Sequence, residues 1–122
     1  MVTPDQARAL ALALPNAADN SVPGRLDFSI ADHRIAWTFL LRVHPGKARV
    51  PHLPVLVVHC PLARKDLLVE AAPDVYFDDD HYRGFPAIMV RLEAIDAADL
   101  RGLLEDAAAW AVTAPAKRPR KA

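Results

Sequence analysis

Two short alternating runs on either side of a tight turn constrain this chain more than any other feature. Leu26, Phe28 and Ile30 alternate with Asp27 and Ser29; after Ala31–Asp32–His33, the residues Ile35, Trp37, Phe39 and Leu41 alternate again. Period-two patterning around a turn predicts an antiparallel hairpin. Everything else must be built around that hairpin. Val55–Val58 is a continuous apolar run bounded by Pro51, Pro54 and Pro61, and it reads as a third strand in a central position. Periodicity alone leaves a buried helix open there. Ala87–Leu92 reads as a further strand with Ile88, Val90 and Leu92 on one face.

Helix signals sit between and around these strands. Thr3 suits an N-cap, Pro4 the first helical position, and Gln6 the reciprocal position of a capping box. Ala7, Leu10, Ala11 and Leu14 then follow at helical spacing until Pro15. Residues 16–25 are rich in turn formers and read as a loop. A second helix is predicted over 62–72, with Ala63, Leu67, Leu68 and Ala71 on its apolar face. A polar and aromatic loop, 74–85, comes next. Asp96 caps a final helix whose stripe is Leu100, Leu103, Leu104, Ala107 and Ala111, with Trp110 at its border and Asp99 near its positive end. Hairpin-linked strands with segregated helices indicate an α+β fold with a mostly antiparallel sheet.

With 122 residues, 52% of them apolar and 25% charged, the chain suits one folded domain over 1–116, followed by a short basic tail, 117–122, read as disordered. No apolar run approaches the ~18–20 residues of a membrane helix. The stretch Ala9–Leu14 is too short and too close to Asp5 for a secretory leader. One cysteine, Cys60, excludes an internal disulfide and a multi-cysteine metal site; it is expected to be a buried structural thiol. A reducing, cytoplasmic setting is the simplest reading, with no membrane partner. Arginine outnumbers lysine 11 to 4, which suits a GC-rich bacterial genome.

The ordered set of local motifs resembles the MmcQ/YjbR family of small bacterial proteins. It begins with Thr3-Pro4-Asp5-Gln6-Ala7-Arg8 leading into Leu14-Pro15. Asp27-Phe28-Ser29-Ile30 then faces Ile35-Ala36-Trp37 across a turn. Ala72-Pro73-Asp74-Val75-Tyr76-Phe77 and His81-Tyr82-Arg83-Gly84-Phe85-Pro86 follow. Val90-Arg91-Leu92, Asp96-Ala97-Ala98-Asp99-Leu100 and Ala109-Trp110 through Ala114-Pro115 complete it. The resemblance implies a CyaY-like fold, a twisted antiparallel sheet covered on one face by helices. Family members are commonly labelled DNA-binding through a likeness to a double-wing arrangement. This chain has His33-Arg34 where many relatives carry Gly-Lys at the first hairpin turn, and its segment 43–54 is proline-rich.

The charge pattern fits that label in part. Lys117, Arg118, Arg120 and Lys121 form a basic tail on a body of 11 basic and 15 acidic residues. Such an arm contacts phosphates through charge alone; the other reading is a solubilising terminus. Arg34, Arg42, Lys47 and Arg49 form a second basic set within 33–52, alongside His33, His44 and His52. It suits a wing along a phosphate backbone, or a solvated sheet edge protected by charge and proline. Tyr82 and Arg83 could stack on a base or hold a phosphate, while the alternative is a packing loop.

Chemistry beyond binding is not expected. Consecutive residues Asp78-Asp79-Asp80-His81 point in different directions, so no metal is assigned to them. His59 and Cys60 face opposite ways on a strand, which makes a poor base–nucleophile pair. There is no phosphate-binding glycine motif, no zinc-protease motif and no nucleophile elbow. Trp37 and Trp110 suit core positions; a pocket between Trp37 and the final helix would favour a small ligand. The sequence therefore points to a non-enzymatic module without cofactor, binding DNA weakly and nonspecifically. A small protein-interaction or regulatory domain is the alternative.

Overall fold

The computed structural model describes residues 1–42 and 45–115. The chain runs α1 (Pro4–Leu12), β1 (Ala18–Asp19), β2 (Asp27–Ile30), β3 (His33–Leu41), β4 (Val50–His59), α2 (Leu62–Ala71), β5 (Tyr76–Phe77), β6 (Ala87–Arg91) and α3 (Ala97–Thr113). The six strands form one sheet in the order β1-β2-β3-β4-β6-β5, with every pairing antiparallel. This is the α+β class expected from the alternating runs. No helix among the described residues is long and apolar enough to cross a membrane.

The hairpin forms where the alternation places it, on a two-residue turn. Ala31 and Asp32 both have positive φ, 51° and 65°, the twist that a tight hairpin demands. His33 is already in β3, paired with Ile30. The β1 pairing was not legible: Ala18 and Asp19 add a two-residue edge strand to β2 inside the stretch read as loop. Arg8 holds that edge by hydrogen-bonding Asp19 at 2.6 Å.

β4 is more than twice as long as its apolar run. Its first half carries Pro51 and Pro54, yet Val50, Pro51 and His52 still pair with β3. β6 joins β4 only from Val55 onward, so the prolines lie where β4 has a partner on one side alone. A missing N–H costs little there. The register shift between Thr38 and Phe39 marks the irregularity that this segment imposes.

One face of the sheet is covered. Ile30, Leu56, Val58, Ile88 and Val90 meet Ala7 and Ala11 of α1 and the whole predicted stripe of α3. The capping box forms as read: Gln6 N–H donates to the Thr3 hydroxyl, and Thr3 N–H to Gln6 Oε1. α2 departs from its pattern. Leu67 is 67% exposed and Lys65 is buried at 1% exposure. Its predicted face, Ala63, Leu67 and Ala71, is turned to solvent, with Leu68 alone partly buried. The reason is tertiary: Lys65 finds three oxygens that no apolar side chain could satisfy.

Candidate binding face

Alternation along β3, β4 and β6 sends a second set of side chains to the opposite face. Trp37, Phe39, Val55, Val57, Ala87 and Met89 form a separate buried cluster, with Phe77 and Tyr82 packed against it. No residue of an α-helix belongs to this cluster among the described residues, although Trp110 of α3 reaches its border beside His59. Arginines and a loop shield it instead. The Arg34 guanidinium lies 4.3 Å from the Trp37 ring centre, and that of Arg91 4.3 Å from Phe77. A guanidinium laid flat on an aromatic face keeps its edge free for other bonds.

Lys65 anchors the loop. Its Nζ donates to the carbonyls of Tyr82 and Phe85, at 3.0 and 3.1 Å, and pairs with Asp78 at 2.7 Å. The buried charge is thereby satisfied on three sides. Gly84, at φ 74°, lets the loop turn back on itself. The Trp37 indole N–H then donates to the Tyr82 hydroxyl at 2.9 Å. The three neighbouring aspartates serve three different cations: Asp78 pairs with Lys65, Asp79 lies 4.0 Å from Arg49, and Asp80 holds Arg83 at 2.5 Å. Asp79 also accepts the His81 N–H, starting the short 3₁₀ turn Asp80–Tyr82.

Two clefts open along this face. The larger, about 580 Å³, has a floor of Phe39, Val55 and Phe77 and polar walls from His52, Asp79 and Arg91. The smaller, about 320 Å³, lies between Trp37 and Trp110 of α3. His59 stacks on Trp110 with ring centres 3.5 Å apart and planes 11° apart, and His33 meets the same indole edge-on at 5.1 Å. Burial pushes the His59 imidazole below its ordinary range, and the charge of nearby His33 adds to that. Nδ1 of His59 has no hydrogen-bond partner among the described residues.

The sequence candidates are distributed over this geometry. Arg34 and Tyr82 meet at the smaller cleft. Arg49 sits at the other end of β3, bonded to the Leu40 carbonyl at 3.0 Å and near Asp79. Arg42 and Lys47 are exposed in the connection from β3 to β4. The basic set within 33–52 is therefore not one wing tip. It divides between the two ends of β3, about 20 Å apart at the usual strand rise. Arg83 is exposed and paired with Asp80. Lys117, Arg118, Arg120 and Lys121 lie outside the described residues.

Three residues of the face were not singled out from the sequence as binding residues. Arg91 was legible, because it alternates with Val90 and so leaves the covered face. His33 and His59 carry no joint signal, since they come from different strands, whereas the tryptophan pair Trp37 and Trp110 lines a cleft of the kind weighed from the sequence. Cys60 is 1% exposed beneath the sheet, and burial pushes its thiol up, against the opposing charges of Arg64 and Lys65.

No family model matches the chain. A 51-residue stretch, 42% of the chain, is 41% identical to proteins described as uncharacterized, Mb2600 of Mycobacterium bovis and Rv2570 of Mycobacterium tuberculosis. That stretch spans 38% of those relatives' length. Among solved structures, the crystal structure of Deinococcus radiodurans protein DR2400 superposes with a TM-score of 0.68. The match covers 93% of this chain and 81% of that one at 19% identity. Its domain is described as DUF419, so this chain shares the fold of a DUF419 protein.

Proposed function

We propose that this chain is a non-enzymatic nucleic-acid-binding module that works through this second face of its sheet. One observation carries the reading: Arg34 and Arg91, from separate parts of the chain, lie over aromatic rings of the same face, and Arg49 reaches Asp79 at the wall of its larger cleft. Arg34 and Arg49 lie near opposite ends of β3, about 20 Å apart at the usual strand rise, a distance that takes in several phosphates of a strand. Arg34 pairs with Asp27 at 3.4 Å and Arg49 with Asp79 at 4.0 Å. Exposed pairs of this kind contribute about 0–1 kcal/mol, so a phosphate competes with them readily. The near-neutral overall charge keeps affinity modest and non-sequence-specific. The MmcQ/YjbR resemblance points the same way, and a single buried cysteine suits the reducing cytoplasm.

Fluorescence anisotropy with labelled duplex and single-stranded DNA, at low and near-physiological salt, tests this. Three contacting arginines predict a slope of log affinity against log salt of about −2 to −3. Arg34→Gln combined with Arg91→Gln should flatten it by about two contacts' worth, roughly 1.4–1.8. A version ending at Ala116 should retain binding. Loss of binding with the tail would move the contacts off the face. Absence of binding at low salt would refute the reading.

A further inference from the structure

The smaller cleft differs from the rest of the face in what lines it. Its walls are flat rings: Trp37, Tyr82, Phe85 and Trp110. Such walls bury any apolar ligand, and a planar π-system gains stacking in addition to that burial. Its polar atoms are few. His33 and His59 are both 9% exposed, and the Nδ1 of His59 lacks a partner among the described residues. A buried polar atom left unpaired costs free energy unless something enters to satisfy it. Arg34 stands at the mouth, its guanidinium stacked on Trp37 and its side chain 42% exposed. Volume agrees too: about 320 Å³ lies at the lower end of small-ligand sites.

We infer that this cleft takes a single unpaired nucleobase, stacked against its aromatic walls and edge-bonded to the imidazoles, with Arg34 on the attached phosphate. This rests on the nucleic-acid reading of the face and makes it more specific. A base within a duplex is stacked and paired on both sides and cannot enter without being extruded. The face should therefore prefer single strands. A free nucleoside monophosphate offers the same ring and the same phosphate, and is the other source of that chemistry.

The protein carries its own reporter, because Trp37 and Trp110 are its only tryptophans and both line the cleft. The experiment titrates intrinsic tryptophan emission with nucleoside 5′-monophosphates, a 12-residue single-stranded oligonucleotide, and the matching duplex. Anisotropy of labelled strands is read in parallel. Phe85→Ala and Arg34→Gln are the variants; Phe85 is 48% exposed and Arg34 lies on the surface, so the fold tolerates both. The expected result is quenching by the single strand and by the monophosphates. Single strands should bind more tightly than duplex, and Phe85→Ala should lose about fivefold or more, the low end for one stacked base. Equal binding of both strand forms with unchanged emission would overturn the cleft assignment and leave the face reading standing. Quenching by monophosphates without strand binding would keep the cleft as a nucleotide site and refute the face reading. Neither quenching nor strand binding would overturn both.

Discussion

Replacing Lys65 with methionine isolates the contact that holds the candidate site together. The two side chains have similar length and shape, so packing against α2 and the sheet is kept. What disappears is the ammonium, 1% exposed, with its bonds to the Tyr82 and Phe85 carbonyls and to Asp78. Breaking a buried pair by removing one partner costs about 3–5 kcal/mol. Asp78 is 36% exposed and can recover water, which lowers the cost towards about 3 kcal/mol. For a domain of this size that corresponds to a fall in Tm of about 12 °C, at roughly 4 °C per kcal/mol. Urea unfolding followed by circular dichroism gives the free energy. Amide exchange at Tyr82–Phe85 should accelerate more than exchange in β3 or β6, because the loop loses its anchor before the sheet loses its core. Asp78→Asn, which leaves both carbonyl bonds intact but strips the buried ammonium of its counter-charge, should cost about 2–3 kcal/mol. A loss below about 1 kcal/mol in Lys65→Met would refute the reasoning, since it would mean that the carbonyls need no buried donor.

Further outcomes follow from burial and charge. Leu104→Ala removes a fully buried α3 side chain and should cost about 2–5 kcal/mol, whereas Leu67→Ala, on the exposed face of α2, should stay within about 0.5 kcal/mol in the same urea titration. Because folding holds His59 below its ordinary value of 6.5, the unfolded chain takes up that proton first as pH falls. Its stabilising contribution is thus complete above about pH 6.5 and is lost as pH drops from there towards the folded value. Thermal melts from pH 8 to 5 should show this decline, and His59→Gln should show a shallower one; an identical slope would remove His59 as its cause.

The elements were legible wherever the signal was local. The Thr3–Gln6 capping box, the β2–β3 hairpin and the α3 stripe depend on residues within a turn or two of one another, and each formed as read, except that the turn is Ala31–Asp32 alone and His33 already pairs in β3. The misreadings share one cause. β1 and β5, the latter inside the stretch 74–85 read as loop, are two residues each that gain strand geometry only because β2 and β6 lie beside them. The first half of β4 holds prolines that only a one-sided pairing tolerates. α2 shows a helical apolar spacing, yet turns Lys65 inward because distant carbonyls await it.

The candidate site divides along the same line. Sequence alone determined that the fold is α+β, that the hairpin and the final helix exist, and that Arg34 and Tyr82 were candidates for binding. Those facts follow from periods of 2 and 3.6, which any neighbouring residues can express. Only tertiary structure decided that the basic residues of 33–52 separate to opposite ends of β3. It alone stacked His59 on Trp110, set His33 against the same indole, and left an aromatic cleft between two tryptophans from the sheet and the last helix. Those contacts join residues from different elements. Their geometry is set by strand order, sheet register and the angle at which α3 crosses the sheet, and no local pattern encodes these.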